Sequence, residues 1–224
     1  TSKGFNMHVK LLISGLPNTG KSTLLKDLDP EKTLVISRDG KRFPFPIPHR
    51  TIEDFEDVDD LIIQITDAIE TYVTKYNKNP EIIAIDSLSK ILLDIEARVL
   101  KKVKSFPYGV INTEITKLVE FLEHTIAANC HLVLISHALL NTETDSVELV
   151  NAGGSWGKKG GAISEVENAV FIELKGSKRT VHHKNHKMLS RTLSDEIPKT
   201  DSKVLHFFKE KYFSIRCCSY MHRS

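Results

Sequence analysis

The sequence predicts an α/β fold in which a mainly parallel sheet carries helices on both faces. Short apolar runs, of the kind found in buried strands, alternate along the chain with longer segments of helical period. This alternation is typical of strands joined by crossover helices, which place successive strands parallel to one another. The strands are predicted at residues 9–14, 33–37, 82–85, 131–135 and 169–174.

Four segments predict helices. Residues 22–28 open a helix that ends near Pro30, and residues 57–76 repeat apolar side chains along one helical face. The same spacing runs from Leu88 to Val99 and from Ile115 to Ile126, with a loop predicted around Pro107 and Gly109. The alternating prolines of residues 43–48 exclude a helix there, because they remove backbone donors and favour extended chain.

Composition places the chain among globular proteins. Hydrophobic residues make up 40% and charged residues 27% of 224 residues, which excludes global disorder. No apolar run approaches the roughly 20 residues that cross a bilayer, so we expect no membrane partner. The three cysteines, Cys130, Cys217 and Cys218, are odd in number and imply no disulfide framework. A reducing cytoplasm fits this composition best.

Charge is distributed unevenly. Six of the eight residues from 53 to 60 are acidic, which we interpret as a solvated loop and helix start. Residues 175–191 contain no acid and six cations, so this stretch either follows an anionic partner or forms a solvated hairpin. We predict a core domain over residues 1–175 and a small basic C-terminal appendage over residues 176–224.

The most specific signal is a phosphate-binding loop. Residues 15–22 read Gly-Leu-Pro-Asn-Thr-Gly-Lys-Ser and match the G-x-x-x-x-G-K-[ST] pattern in full, between an apolar strand and a helix. In such a loop backbone N–H groups surround phosphate oxygens, the lysine supplies a charge and the serine a magnesium ligand. We therefore predict binding of ATP, or a close relative, with Mg²⁺. The predicted contact residues are Gly15, Pro17, Asn18, Thr19, Gly20, Lys21, Ser22 and Thr23.

An acid ends the third predicted strand. Asp86 follows the apolar run 82–85, where a P-loop protein holds its magnesium ion, so Asp86 and Ser22 are the predicted metal residues. The alternative is an aspartate that caps the next helix, and both roles can hold at once.

In this order the motifs resemble the RecA-like recombinase core, and most closely the small phage single-strand-annealing and RecA-like ATPases. The resemblance covers residues 9–174 and, more weakly, 191–198. It rests on the phosphate loop, on His137 after a strand, and on glycine pairs at 153–154 and 160–161. It implies a RecA-like P-loop NTPase fold and an ATPase that acts on single-stranded DNA. It also implies a homo-oligomer, a single-stranded-DNA-binding protein as a further partner, and the host cytoplasm if the chain is phage-encoded.

The resemblance implies two roles near the γ-phosphate. His137 stands where such proteins carry a γ-phosphate sensor, although a histidine satisfied by a neighbouring backbone group is the alternative. Asp39 is the nearest candidate for the carboxylate that orients attacking water. A turn-forming aspartate before Gly40 explains Asp39 equally well. Together with Lys21, these are the predicted catalytic residues.

The resemblance also implies a DNA-contacting loop. The corresponding segment, residues 138–161, is predicted to be a loop with a mobile glycine-rich part at 151–161. Trp156 there suits base stacking, and Lys158 and Lys159 suit phosphate contacts. Alternatively, these lysines reach the ATP of a neighbouring subunit, or the loop is an ordinary exposed one. Lys178 and Arg179 in the basic stretch complete the predicted nucleic-acid residues.

Two other functions use the same loop. A small-molecule kinase would need an arginine-bearing lid, for which residues 178–191 are the candidate. A nucleotide-gated binding module with little hydrolysis is favoured if Asp39 does not act on water.

Overall fold

The computed structural model describes residues 8–40, 42–143 and 146–183, except for the side chain of Lys158. Its centre is an eight-stranded sheet in the order β3-β2-β4-β5-β1-β7-β8, with β6 paired to β5 off this path. The pairs that join β3, β2, β4, β5, β1 and β7 are all parallel, as predicted. The strands are β1 Lys10–Gly15, β2 Thr33–Ser37, β3 His49–Thr51, β4 Ile82–Asp86, β5 His131–Asn141, β6 Ser146–Leu149, β7 Asn168–Lys175 and β8 Lys178–His182.

Helices cover both faces of this sheet. One face packs against the long α-helices and the other against a short 3₁₀ helix, together with residues of the proline-rich segment. The predicted fold class is therefore confirmed. The α-helices are α1 Val58–Tyr76, α2 Leu88–Lys102, α3 Pro107–Phe121 and α4 Ser155–Lys158, with 3₁₀ helices at Ser22–Asp27 and Gly161–Ile163 and a π-helical continuation of α3 at Leu122–Ala127.

Alternation along the central strands separates the two cores. In β1, Leu12 faces the α-helical side, whereas Leu11 and Ile13 face the 3₁₀ helix. All three side chains are fully buried, because β1 has a neighbouring strand on each side and a packed layer on each face. This burial explains why β1 reads as a continuous apolar run.

One predicted helix differs in type, and one predicted loop is helical. The helix predicted at residues 22–28 is a six-residue 3₁₀ helix. The loop predicted around Pro107 and Gly109 is the first turn of α3, since Pro107 occupies the first helical position. A proline is tolerated there because that backbone N–H would have no partner within the helix.

The segment predicted to be a loop at residues 138–161 is largely ordered structure. Strand β5 continues to Asn141 and forms an antiparallel pair with β6, and α4 follows at residues 155–158. The glycine-rich part packs closely: Gly154 has a φ of 100°, and a Cβ there would lie 2.8 Å from Oδ1 of Asn112 in α3. Its glycines thus permit contact with α3, which corrects the predicted mobile loop.

The sheet continues past residue 175. Strand β8 pairs antiparallel with β7 and lies within the range predicted as an appendage, so residues 178–182 belong to the central sheet. The described part of the basic stretch thus forms a hairpin, and its contact with an anionic partner stays a prediction. Residues 184–224, with Arg191, Cys217 and Cys218, lie outside the described residues. Within the described ranges, no helix combines the length and apolarity needed to cross a membrane.

A buried histidine joins the start of β1 to β5. His131 is 1% exposed, and its Nδ1 accepts a hydrogen bond from the backbone N–H of Val9 at 3.1 Å. Burial, with a smaller contribution from nearby His8, lowers the pKa of His131 to about 4. The ring is therefore neutral in the native protein near neutral pH.

We expect acidification from pH 6.5 to pH 4 to destabilise the fold. The unfolded chain protonates His131 near a pKa of about 6.5, whereas the native chain does so only near pH 4. The unfolded state binds more protons in this window. The free energy of unfolding therefore decreases as the pH is lowered, by about 3 kcal/mol at most. Urea unfolding across this range measures the slope. His131→Asn, which keeps an acceptor but does not titrate, should flatten it, and equal slopes would contradict the prediction.

Candidate nucleotide-binding site

Three predicted site residues lie at one edge of the sheet. The register places Gly15 of β1 opposite His137 of β5, and Asp86 of β4 opposite Ile135 of β5. Because the strands are parallel, their carboxyl ends meet at this edge. Two strand spacings, about 10 Å, separate β1 from β4. The sheet thus brings together the loop and the magnesium aspartate predicted from sequence.

Close packing at Gly15 shapes the start of the phosphate loop. A Cβ on Gly15 would lie 2.7 Å from the carbonyl oxygen of Ile172 in β7 and 2.7 Å from Oγ1 of Thr19. Real Cβ atoms do not approach other atoms this closely, so only glycine fits. The Thr19 hydroxyl in turn donates to the carbonyl oxygen of Leu16 at 2.9 Å, which closes the loop.

The lysine of the loop is held inside it. Lys21 is 5% exposed, and its Nζ donates to the carbonyl oxygens of Gly15 at 3.0 Å and Leu16 at 2.9 Å. A buried ammonium needs such acceptors, because its desolvation is otherwise costly. Residues Asn18 and Gly20, with φ of 62° and 84°, turn the chain so that it encloses this cation. The loop therefore fits a polyphosphate, whose oxygens are acceptors of the same kind.

The residues predicted to hold magnesium also fit that ion. Asp86 is 4% exposed at the end of β4, and Ser22 begins the 3₁₀ helix directly after Lys21. The cap of α2 is Ser87, whose Oγ accepts from the N–H of Lys90 at 3.4 Å, so the helix-capping role does not belong to Asp86. Mg²⁺ commonly takes one or two carboxylates together with phosphate oxygens and water. Among the described residues, no three His, Cys, Asp or Glu side chains form a separate metal cluster.

His137 lies where β5 stops pairing with β1, although β5 itself continues to Asn141. The prediction that a strand ends at His137 is thus wrong, but its position beside Gly15 agrees with a site role. Its backbone N–H donates to Oγ of Ser89 at 3.1 Å, and its carbonyl oxygen accepts from Val150 at 2.8 Å. These bonds fix the backbone of His137 next to the phosphate loop. The γ-phosphate role of its ring stays a prediction.

Asp39 follows β2 on the far side of β4. Its side chain is partly exposed, and Gly40 after it has a φ of 64°, as a turn requires. The backbone N–H of the preceding residue, Arg38, donates to the carbonyl oxygen of Asp86 at 2.8 Å. Asp39 therefore directly follows the residue whose backbone is hydrogen-bonded to Asp86, the predicted magnesium aspartate. Its role on water stays a prediction.

Arg38 binds carboxylates of other elements. Its Nε lies 2.6 Å from Oδ2 of Asp94 in α2, and its Nη2 lies 3.0 Å from Oδ1 of Asp54. The hydrogen bond from Arg38, followed by the charge of Arg98, lowers the pKa of Asp54 below its ordinary value. Five of the six acids of residues 53–60 are exposed, as predicted for a solvated loop and helix start, and Asp54 also binds Arg98 of α2.

Trp156 does not form an exposed stacking platform. Its indole packs against the core, its Nε1 donates to Oε1 of Glu165 at 3.1 Å, and its backbone N–H donates to Asn112. Trp156 is thus partly buried rather than exposed, and its base-stacking role stays a prediction. Lys159, after α4, is exposed, whereas the side chain of Lys158 lies outside the described residues.

Lys178 and Arg179, although adjacent in sequence, have different surroundings. Lys178 is exposed opposite Lys175 in the β7–β8 hairpin. Arg179 is partly buried against the phosphate loop, since a Cβ on Gly20 would lie 2.5 Å from Nη2 and 2.8 Å from Cζ of Arg179. Sequence reasoning missed this placement because it did not identify β8 as a strand of the sheet.

Residues 7–191 match the model of the AAA domain family AAA_24. The chain belongs to this family. The match includes the phosphate loop, all described strands and Asp86, so the chain carries an AAA-type P-loop NTPase domain. No curated protein matched the chain in sequence.

Comparison with solved structures found the following two among its matches. The P4 protein from bacteriophage phi6 in complex with ADP is 12% identical over 79% of this chain and 58% of its own, with a TM-score of 0.37. A prototypical ATPase from the type III secretion system of pathogenic bacteria is 14% identical over 74% of this chain and 51% of its own, with a TM-score of 0.45. This AAA domain chain spans little more than half of either protein.

We expect Gly15→Ala to disrupt the phosphate loop. The added methyl group must displace backbone at β7 or the Thr19 hydroxyl, which costs about 1–3 kcal/mol of stability. Thermal unfolding and Mg-ATP titration should show a lower Tm and weaker binding. Gly109→Ala in α3 is the matched control, because nothing lies within 4 Å of its Cβ and alanine favours a helix. Equal behaviour of the two variants would contradict the close packing at Gly15.

Proposed function

We propose that this P-loop NTPase hydrolyses ATP with Mg²⁺. The observation that carries the proposal is the buried ammonium of Lys21, held by loop carbonyls at the sheet edge where Asp86 ends β4. A loop that encloses a cation, next to a buried carboxylate, has the charges that a magnesium-bound triphosphate requires.

Each residue then has a defined task. Lys21 exchanges carbonyl oxygens for β- and γ-phosphate oxygens and stabilises the charge that develops as the bond to the γ-phosphoryl group breaks. The Ser22 hydroxyl and the Asp86 carboxylate hold Mg²⁺, which, when bound, neutralises phosphate charge. His137 senses the γ-phosphate from β5. Asp39, beyond β2, orients the attacking water.

We further propose that the ATPase acts on single-stranded DNA, in phage-type recombination or replication, as a homo-oligomer. The order of motifs supports this role, and so do exposed cations at Lys159, Lys175 and Lys178. Such cations bind phosphates and release counterions. A single-stranded-DNA-binding protein is the expected further partner, and the host cytoplasm the expected location.

The kinase alternative has lost support. Residues 178–182 of the candidate lid form β8 and pair with β7 in the sheet, which leaves that part unavailable to close over an acceptor. Transfer of labelled γ-phosphate to nucleosides or nucleotides would identify a kinase. Phosphate release that stays at background despite measurable ATP affinity would favour the binding-module alternative.

We expect Lys21→Ala to reduce ATP turnover by about 100-fold or more, because a cation is lost from the γ-phosphate. Phosphate release in Mg²⁺, with and without single-stranded DNA, measures it. Lys78→Ala is the matched control, since it removes the same charge from an exposed position at the opposite edge of the sheet, just before β4. Wild-type turnover in Lys21→Ala, or no turnover in any protein, would contradict the proposed hydrolysis.

We expect the Lys159→Ala/Lys178→Ala double variant to weaken single-stranded DNA binding at low salt. If both lysines contact phosphates, the slope of log K against log salt should fall by about 1.4. Fluorescence anisotropy with labelled oligonucleotides measures this slope with and without ATP, and Lys78→Ala again serves as the control. A wild-type chain that binds no DNA in either state would rule out the DNA role.

A further inference from the structure

Strand β8 brings an arginine to the phosphate loop. β7 pairs with both β1 and β8, so β8 lies two strand positions from the strand that leads into the loop. Side chains alternate along β8, and Val181 packs in the same core as Leu24 and Leu25 of the 3₁₀ helix. Arg179, two residues before Val181, shares that face.

The guanidinium of Arg179 lies against Gly20. The site of a Cβ on Gly20 is 2.5 Å from Nη2, 2.8 Å from Cζ and 3.2 Å from Nε, so the group occupies the space that a side chain at residue 20 would need. Gly20 directly precedes Lys21. Two cations therefore lie at the loop: the ammonium of Lys21 is inside it, and the guanidinium of Arg179 is beside it.

A second cation at this position suits a nucleotide polyphosphate. A guanidinium stays charged at all relevant pH values and offers a planar set of donors that matches two phosphate oxygens at once. We propose that Arg179 contacts the phosphate chain of the nucleotide bound in its own subunit. This inference rests on the proposed nucleotide site and replaces the DNA contact expected for Arg179 from sequence.

A lysine outside the site supplies the control. Lys78 is exposed just before β4, at the opposite edge of the sheet from the phosphate loop. Arg179→Gln removes the charge but keeps a polar side chain, and Arg179→Lys keeps the charge but loses the planar fork.

The test is titration of a fluorescent ADP analogue into the full chain, with thermal unfolding of each variant. Arg179→Gln should weaken binding about tenfold or more, the range expected for loss of a hydrogen bond to a charged group. Arg179→Lys should recover part of the affinity, and Lys78→Gln should match the wild type. Wild-type affinity in both Arg179 variants would overturn the inference and leave the nucleotide site intact. A wild-type chain that binds no nucleotide would overturn the nucleotide site as well.

Two further arms separate other roles of the arginine. If Arg179→Gln keeps its nucleotide affinity but loses affinity for single-stranded DNA, the residue belongs to a DNA surface and the inference fails. Mixtures of Arg179→Gln with Lys21→Ala should show no more turnover than the separate variants, because contact within one chain does not allow complementation. Recovered turnover would show that the arginine serves a neighbouring subunit, which also overturns the inference.

Discussion

An ammonium group that is 5% exposed must find acceptors close by, and for Lys21 these include two carbonyl oxygens of its own loop. Gly15 and Leu16 present those oxygens only if the chain turns back sharply, through the left-handed residues Asn18 and Gly20. The loop is therefore preorganised around a positive charge. A phosphate group that enters replaces acceptors already in place, which lowers the cost of ordering the site on binding.

The interior position of β1 in the sheet constrains this loop. β5 and β7 pair with β1 on either side, and the Ile172 carbonyl of β7, together with the Thr19 hydroxyl, leaves Gly15 no room for a side chain. The same parallel pairing carries His137 and Asp86 to that edge. Hydrophobic burial in the two cores thus determines where these polar residues lie. The formation of this sheet edge does not require direct hydrogen bonds among their side chains.

Sequence reasoning succeeded where a local pattern carried the information. The apolar runs of the central parallel strands, the helical period of α1 and α2, and the spacing of the phosphate loop are all local features. It failed where distant pairing decides the outcome. Strand β3 is three exposed residues, and β8 lies in a basic stretch, so neither shows a buried-strand pattern. An aromatic residue beside lysines is typical of a nucleic-acid contact, which is why Trp156 was assigned there. Its hydrogen bond to Asn112 of α3 joins segments that are distant in sequence, so the local pattern does not reveal it. The phosphate-loop motif and Asp86 were recognised from sequence, whereas the arginine beside the loop was assigned to nucleic acid instead.

The β7–β8 hairpin contacts both ends of the phosphate loop. Its first strand presents the Ile172 carbonyl that excludes a side chain from Gly15, and its second strand presents the guanidinium that covers Gly20. Both ends of the loop therefore depend on chain that follows it by some 150 residues, and the phosphate site is complete only after that long-range pairing forms. A change within the hairpin can consequently alter nucleotide binding without touching the phosphate-loop sequence. The minimal unit that carries this site extends through β8, past the end of the core predicted from sequence.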